Sequence, residues 1–205
     1  MPYLLKISLL TLVLFNLAGC AKLLQPSIDS SFADIRHGAY RLDMNHTAIL
    51  FKIDHLGFSK FIGRFESAEA SLDYNPEQPE LSKLEARVDM NSVNVNNEKF
   101  ERTLRNRFWF NTEKFPQARF VTLSARREGE KQLSFNGELT FLGITQPLTL
   151  QVTINGAGNN IANGKYTLGF SATGVIQRSA HGLDRYTPAI GNDVELEIQA
   201  EFLRQ

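Results

Sequence analysis

The 205-residue chain has a single cysteine, so it cannot form an intramolecular disulfide, and no CxxC or Cys/His pairing is present to hold zinc or run redox chemistry. It has no excess of charge of either sign, with 22 Lys and Arg against 22 Asp and Glu. Without a surplus of clustered cations there is no electrostatic footprint for non-specific nucleic-acid binding, and nucleic acid is not an expected partner. Tryptophan occurs once and tyrosine five times against 15 phenylalanines. Such a chain has a large apolar interior with few polar handles. The G-x-S-x-G elbow, HxH and HExxH are also absent. No catalytic residue, metal or cofactor is therefore expected, and the chain reads as a binding protein rather than an enzyme.

The first residues have the parts of an export signal. Lys6 precedes the apolar run Ile7 to Phe15, which is too short to span a bilayer, and Leu17-Ala18-Gly19-Cys20 follows. That tetrapeptide resembles the bacterial lipobox, in which the cysteine carries the diacylglycerol. Residues 1–19 are thus expected to be a cleaved lipoprotein signal and Cys20 the lipid-attachment site. Ala21 in place of Asp resembles the outer-membrane sorting pattern, which predicts a lipid-anchored protein on the periplasmic face of that membrane. Residues 20–37, with Pro26 and a run of serines, read as the lipidated cysteine and its tether. The domain is expected over 38–205.

Beyond Tyr40 apolar residues fall at every second position, the pattern of strands with one buried face. Ile49, Phe51, Ile53 and His55 share a face; so do Phe61, Gly63 and Phe65, then Ala68, Ala70 and Leu72, and further sets recur up to Phe202. Turn residues at 75–76, 127–131, 143–147 and 155–160 separate them. With no strand–helix–strand rhythm, the sheet is expected to be antiparallel. Between Asn94 and Asn111, Phe100, Leu104 and Phe108 step at helical spacing, with Asn96 or Asn97 as cap. The pattern predicts an all-β fold: an extended antiparallel β-barrel of about eight strands, with one amphipathic helix as lid or plug.

Short blocks then accumulate in order. They are Tyr40-Arg41-Leu42-Asp43 with Asn45-His46-Thr47, Gly63-Arg64-Phe65, Leu104-Arg105-Asn106 with Phe108-Trp109-Phe110-Asn111, Phe115-Pro116, Gly137-Glu138-Leu139-Thr140 with Gly143-Ile144-Thr145-Gln146-Pro147, and Arg178-Ser179 with Gly182. Together they resemble the YceI-like family, lipocalin-like polyisoprenoid-binding proteins of bacterial periplasms. The resemblance implies a barrel whose apolar tunnel sequesters or carries a long-chain amphiphile: a polyisoprenoid, an isoprenoid quinone or a fatty acid derivative. The chain departs from the family pattern at Arg102-Thr103 and at Ala180-His181, where a headgroup could be met.

The expected tunnel residues are Phe51, Ile53, His55, Phe61, Phe65, Leu104, Phe108, Phe135, Leu139, Phe141 and Phe170; Arg105, Arg178 and His46 are the expected headgroup contacts. Gly63 and Gly137 either leave room for a ligand or bend a strand. The expected partners are the lipid ligand and the membrane, and a homodimer stays open. The rival reading is a structural or stress-response envelope lipoprotein that acts through a protein partner without a small ligand.

Overall fold

A computed structural model describes residue 28 and residues 35–205. The signal, Cys20 and nearly all of the tether lie outside the described residues. Ten strands follow in chain order: β1 (Gly38–His55), β2 (Ser59–Phe65), β3 (Ala68–Tyr74), β4 (Lys83–Asp89), β5 (Val93–Asn94), β6 (Gln117–Arg127), β7 (Gln132–Phe141), β8 (Ile144–Asn159), β9 (Tyr166–Gln177) and β10 (Ile190–Arg204). Among the described residues one α-helix, α1 (Glu98–Arg105), lies between β5 and β6.

The strands make eight staves rather than ten. β1 pairs through residues 38–41 with β3 and through residues 49–55 with β2, so β2 and β3 are two halves of one stave broken at Glu66-Ser67. β5 pairs with β2 as β4 pairs with β3, and they form the next broken stave. From β4 the order runs β6, β7, β8, β9, β10, and β10 returns to β1, with Tyr40 opposite Arg204. All pairings are antiparallel and the ring closes, as the alternating pattern predicted. Among the described residues closure leaves only the two-residue β5 paired on one side, too short an edge for another chain to template on.

Two expected turns move. The β7–β8 turn is only Leu142-Gly143, both at positive φ, so Ile144 to Pro147 belong to β8. β8 also runs through residues 155–159, with a register shift between Ile154 and Gly156. The glycines there read as a turn in the sequence, but in the structure they serve a strand irregularity, the other common use of glycine. The helix is shorter than its stripe. Asn97 caps it by accepting the Phe100 N–H at 3.1 Å, and it ends at Arg105. Phe108 therefore lies beyond the helix.

The two ends of the barrel differ. Ile35, the turns at 75–82, 128–131 and 160–165, and the C-terminus gather at one end, the floor. The β1–β2 hairpin, the 95–116 segment with α1, the β7–β8 turn and the 178–189 loop gather at the other, the mouth. At the floor Tyr40, Tyr74, Leu133, Leu168 and Ile35 are buried against one another. The Tyr40 hydroxyl donates to the Arg36 carbonyl, and the Arg36 guanidinium lies 4.4 Å from the centroid of the Tyr166 ring. Burial pushes the Tyr40 pKa up to about 12 and raises that of Tyr74 further.

Candidate functional site: an apolar cavity open at the mouth

Inside the barrel, above the floor, lies a cavity of about 600 Å³. That is within the range of roughly 300–1,000 Å³ typical of small-molecule pockets. Its wall is almost wholly aliphatic and aromatic; Thr47, His55, Glu69, Thr103, Arg178 and Tyr186 are the polar exceptions. None of Tyr40, Tyr74, Leu133, Leu168 or Ile35 borders it.

The space has a cause in the sequence. Small side chains meet in register on the inward face of three neighbouring staves: Ala70 opposite Ala86, Ala86 opposite Phe120, Ala68 opposite Val88, and Val88 opposite Ala118. All four alanines line the cavity. Elsewhere phenylalanines project inward and pair edge to face or tilted, as Phe51 with Phe65 at 5.6 Å, Phe65 with Phe110 at 6.2 Å, and Phe110 with Phe141 at 5.9 Å between centroids. An aromatic wall facing an alanine patch cannot close on itself, and void is left between them.

Of the expected tunnel residues, Phe51, Ile53, His55, Phe61, Phe65, Leu104, Phe135, Leu139, Phe141 and Phe170 all border the cavity. Phe108 does not: with the helix ended at Arg105, it sits on the outer rim of the mouth, half exposed. The glycine expectations also change. A Cβ on Gly63 would lie 2.2 Å from the Phe51 ring, and one on Gly137 would lie 2.3 Å from the Val121 carbonyl oxygen. Both glycines make room for a phenylalanine neighbour, not for a ligand. Missing from the expected set were the alanine patch, Phe100, Trp109, Phe110 and the β10 residues Val194, Leu196 and Ile198. The alternation in β10 and the alanines of β3 and β4 were the signals for them.

The expected headgroup residues are not brought together. Arg178 borders the cavity but is buried, and all five of its N–H donors are taken. Nε bonds the Gly191 carbonyl, the two Nη1 hydrogens go to the carbonyls of Leu183 and Arg185, and those of Nη2 go to the Thr187 hydroxyl and the Ile190 carbonyl. Five donors in a rigid fork meeting five acceptors make it the organiser of the mouth loop, with none left for a headgroup. His46 sits on the irregular stretch of β1 where register with β10 shifts between Asp43 and Ala48. Its Nδ1 lies 2.9 Å from the Asp43 carboxylate, which raises the imidazole pKa, and it faces solvent away from the cavity. Arg105 ends α1 beside Glu101, at 3.4 Å, and it too lies outside the cavity wall.

The polar groups at the mouth are instead His55 and Tyr186. His55 is exposed, lines the opening and makes no side-chain hydrogen bond among the described residues. Tyr186 stacks on Trp109 with centroids 6.2 Å apart, which joins the late loop to the segment after α1. Phe61 and Phe100 meet edge to face at 5.7 Å and fix the helix on β2. The Glu101 carboxylate reaches back to the Val95 and Asn97 N–H groups at 3.0 and 3.3 Å, and these bonds hold its pKa below the usual value. Among the described residues no three His, Cys, Asp or Glu side chains come together as metal ligands would.

A closed, helix-capped barrel with an apolar, one-ended cavity defines a lipocalin-like fold. A family model described as a YceI-like domain matches residues 40–202, and the chain belongs to the YceI-like family. It is 32% identical over 168 residues to protein YceI of Salmonella arizonae, covering 81% of this chain and 87% of that one. The structure superposes on the YceI protein of Campylobacter jejuni with a TM-score of 0.67 at 28% identity, over 75% of this chain and 91% of that one. The same fold occurs in Burkholderia cenocepacia BcnA, with a TM-score of 0.71 and 19% identity over 78% and 98% of the two chains. It occurs again in a polyisoprenoid binding domain from Saccharophagus degradans, with a TM-score of 0.62 and 13% identity over 83% and 100%.

Proposed function

We propose that this protein is a lipid-anchored binding protein of the bacterial envelope that sequesters or carries a long-chain amphiphile, with the chain in the barrel and the head at the mouth. The observation that carries this reading is the cavity of about 600 Å³, walled by hydrocarbon and open at one end. Its chemistry suits a polyisoprenoid, an isoprenoid quinone or a fatty acid derivative. Burial supplies the driving force at about 25 cal/mol per Å² of apolar surface removed from water. The head is met by His55 and the Tyr186 hydroxyl, which border the cavity at the opening and make no side-chain hydrogen bond among the described residues. Cys20 supplies the anchor, Ala21 directs the mature chain to the periplasmic face of the outer membrane, and the reaction chemistry of an enzyme is not required.

The test is a chain-length series of fluorescent or isotopically labelled isoprenoid alcohols and fatty acids. A chain methylene occupies about the volume of a liquid water, roughly 30 Å³, so the cavity accommodates about twenty chain carbons. Affinity is expected to rise with chain length up to about that size and then level off. Ala86→Phe, which fills the alanine patch, is expected to weaken binding at least tenfold with the fold intact. Equal affinity for short and long chains overturns the reading and shifts it towards a lipoprotein acting through a protein partner.

A further inference from the structure

The outside of the mouth carries a second feature, of which only Tyr186 borders the cavity. Phe58, at the tip of the β1–β2 hairpin, is 88% exposed, and Leu56 beside it, Phe108 and Tyr186 are each more than half exposed. These residues come from three separate segments, the hairpin, the stretch after α1 and the late loop. The Leu56 N–H donates to the Ala189 carbonyl at 2.8 Å, and Tyr186 stacks on Trp109, so all three are held at one level. Large apolar side chains offered to solvent at a rim mark a surface that meets something apolar.

Cations are interleaved with them. The guanidinium groups of Arg107 and Arg185 lie 4.7 and 5.1 Å from the centroid of the Phe108 ring, one on each side of it in sequence. Among the described residues neither is within ion-pair distance of a carboxylate. The acidic groups close by are engaged or turned elsewhere: Asp54 accepts the Gly57 N–H at 2.9 Å, Glu98 pairs with Arg102, and Glu101 with Arg105. Asp184 and Glu113 are the remaining acids in these segments. The segments at 95–116 and 178–189 together hold seven basic side chains against four acidic, whereas the floor turns at 75–82, 128–131 and 160–165 hold two basic against four acidic.

We propose that the mouth is a membrane-docking surface: Phe58, Leu56 and Phe108 enter the headgroup–acyl boundary of a phospholipid bilayer while Arg107 and Arg185 hold its anionic headgroups. Exposed aromatic tips with flanking cations are what an interfacial surface needs, since the rings gain from burial and the cations from the negative surface potential. An acidic protein partner would satisfy the arginines but would leave Phe58, on a projecting hairpin, without a pocket of its own. A bilayer receives projecting side chains without shape complementarity. Docking would bring the cavity opening onto the hydrocarbon, so that a long chain slides between bilayer and barrel without crossing water; this consequence rests on the carrier reading, whereas the docking itself does not.

The experiment uses the unlipidated chain from Ala21 to Gln205, which contains every described residue, in flotation and surface-plasmon assays. The vesicles are phosphatidylethanolamine with phosphatidylglycerol, set against phosphatidylcholine alone. Binding is expected to the anionic vesicles and to weaken with salt. At about 1 kcal/mol for each basic side chain near an anionic surface, Arg107→Ala with Arg185→Ala is expected to weaken it about 30-fold. Phe58→Glu is expected to abolish vesicle binding while leaving ligand uptake from detergent micelles unchanged, because Phe58 does not border the cavity; retained uptake also shows that the variant is folded. Absence of binding to anionic vesicles overturns the proposal even if uptake is normal. So does a mouth-to-mouth dimer in solution that Phe58→Glu dissociates, since the rim would then be covered by a second copy. Vesicle binding without any uptake supports docking and overturns the carrier reading alone.

Discussion

The floor and the mouth are made by the same eight staves, yet one is solid and the other hollow. At the floor the inward positions hold Tyr40, Tyr74, Tyr166, Leu133 and Leu168, buried against each other and against Ile35 from the incoming chain. Above it large aliphatic and aromatic inward side chains face the alanine patch of β3, β4 and β6, and the ring stays unfilled. In a closed barrel the diameter is set by strand number and tilt, so the size of the inward side chains decides whether a level is core or pocket. One end therefore supplies stability and the other binding.

Truncation separates the two ends most strongly. Leu133→Ala, at a fully buried floor position, is expected to cost about 3 kcal/mol, whereas Phe61→Ala at the mouth should cost about 1 kcal/mol because its ring already borders a void. Chemical denaturation measures both, and equal losses would erase the distinction. Base should act on the floor. Tyr40 has its pKa raised to about 12, so its share of stability is complete below the ordinary value near 10 and is lost as pH rises through 12. Near-ultraviolet circular dichroism against tyrosinate absorbance follows this. Acid should act on the mouth. The depressed carboxyl of Glu101 contributes above about 4.5 and is lost as pH falls through its lower folded value, releasing the Val95 and Asn97 amides. Trp109 fluorescence, with Glu101→Gln as the neutral comparison, reports the lid. The smallest contrast lies within the floor. Tyr40→Phe removes a donor to the Arg36 carbonyl and should destabilise by about 1 kcal/mol, while Tyr74→Phe removes a buried hydroxyl that has no partner among the described residues and should stabilise by about the same amount. Thermal melts of the pair check the sign.

The strands were legible because a half-buried antiparallel strand writes its inside and outside into alternate residues, as Phe51, Ile53 and His55 do on β1. The cavity wall was legible for the same reason, since inward position and large apolar side chain coincide. The headgroup contacts were not. Arg178 sits in a recognisable motif, but only the fold shows that its donors are consumed by the loop it organises. Phe108 followed the helical stripe in sequence, and what removed it was the end of the helix at Arg105, a matter of one turn that spacing alone does not resolve. The glycines misled in the same way: Gly137 answers to the Phe120 ring and the Val121 carbonyl, neighbours on the facing strand that the linear order hides.

The seam that closes the ring joins β1 to β10, the first strand to the last, with Tyr40 opposite Arg204. Every other neighbouring pair of staves can form from nearby chain, but this one must wait for the whole sequence. High-contact-order all-β chains of this kind fold in milliseconds to seconds, well behind helical bundles. Until the fifteen residues of β10 arrive, β1 and β9 are both exposed edges, each able to capture another chain. A truncation inside β10 would therefore be expected to yield an aggregating species rather than a smaller barrel, which makes β10 the step that commits the molecule to its closed fold.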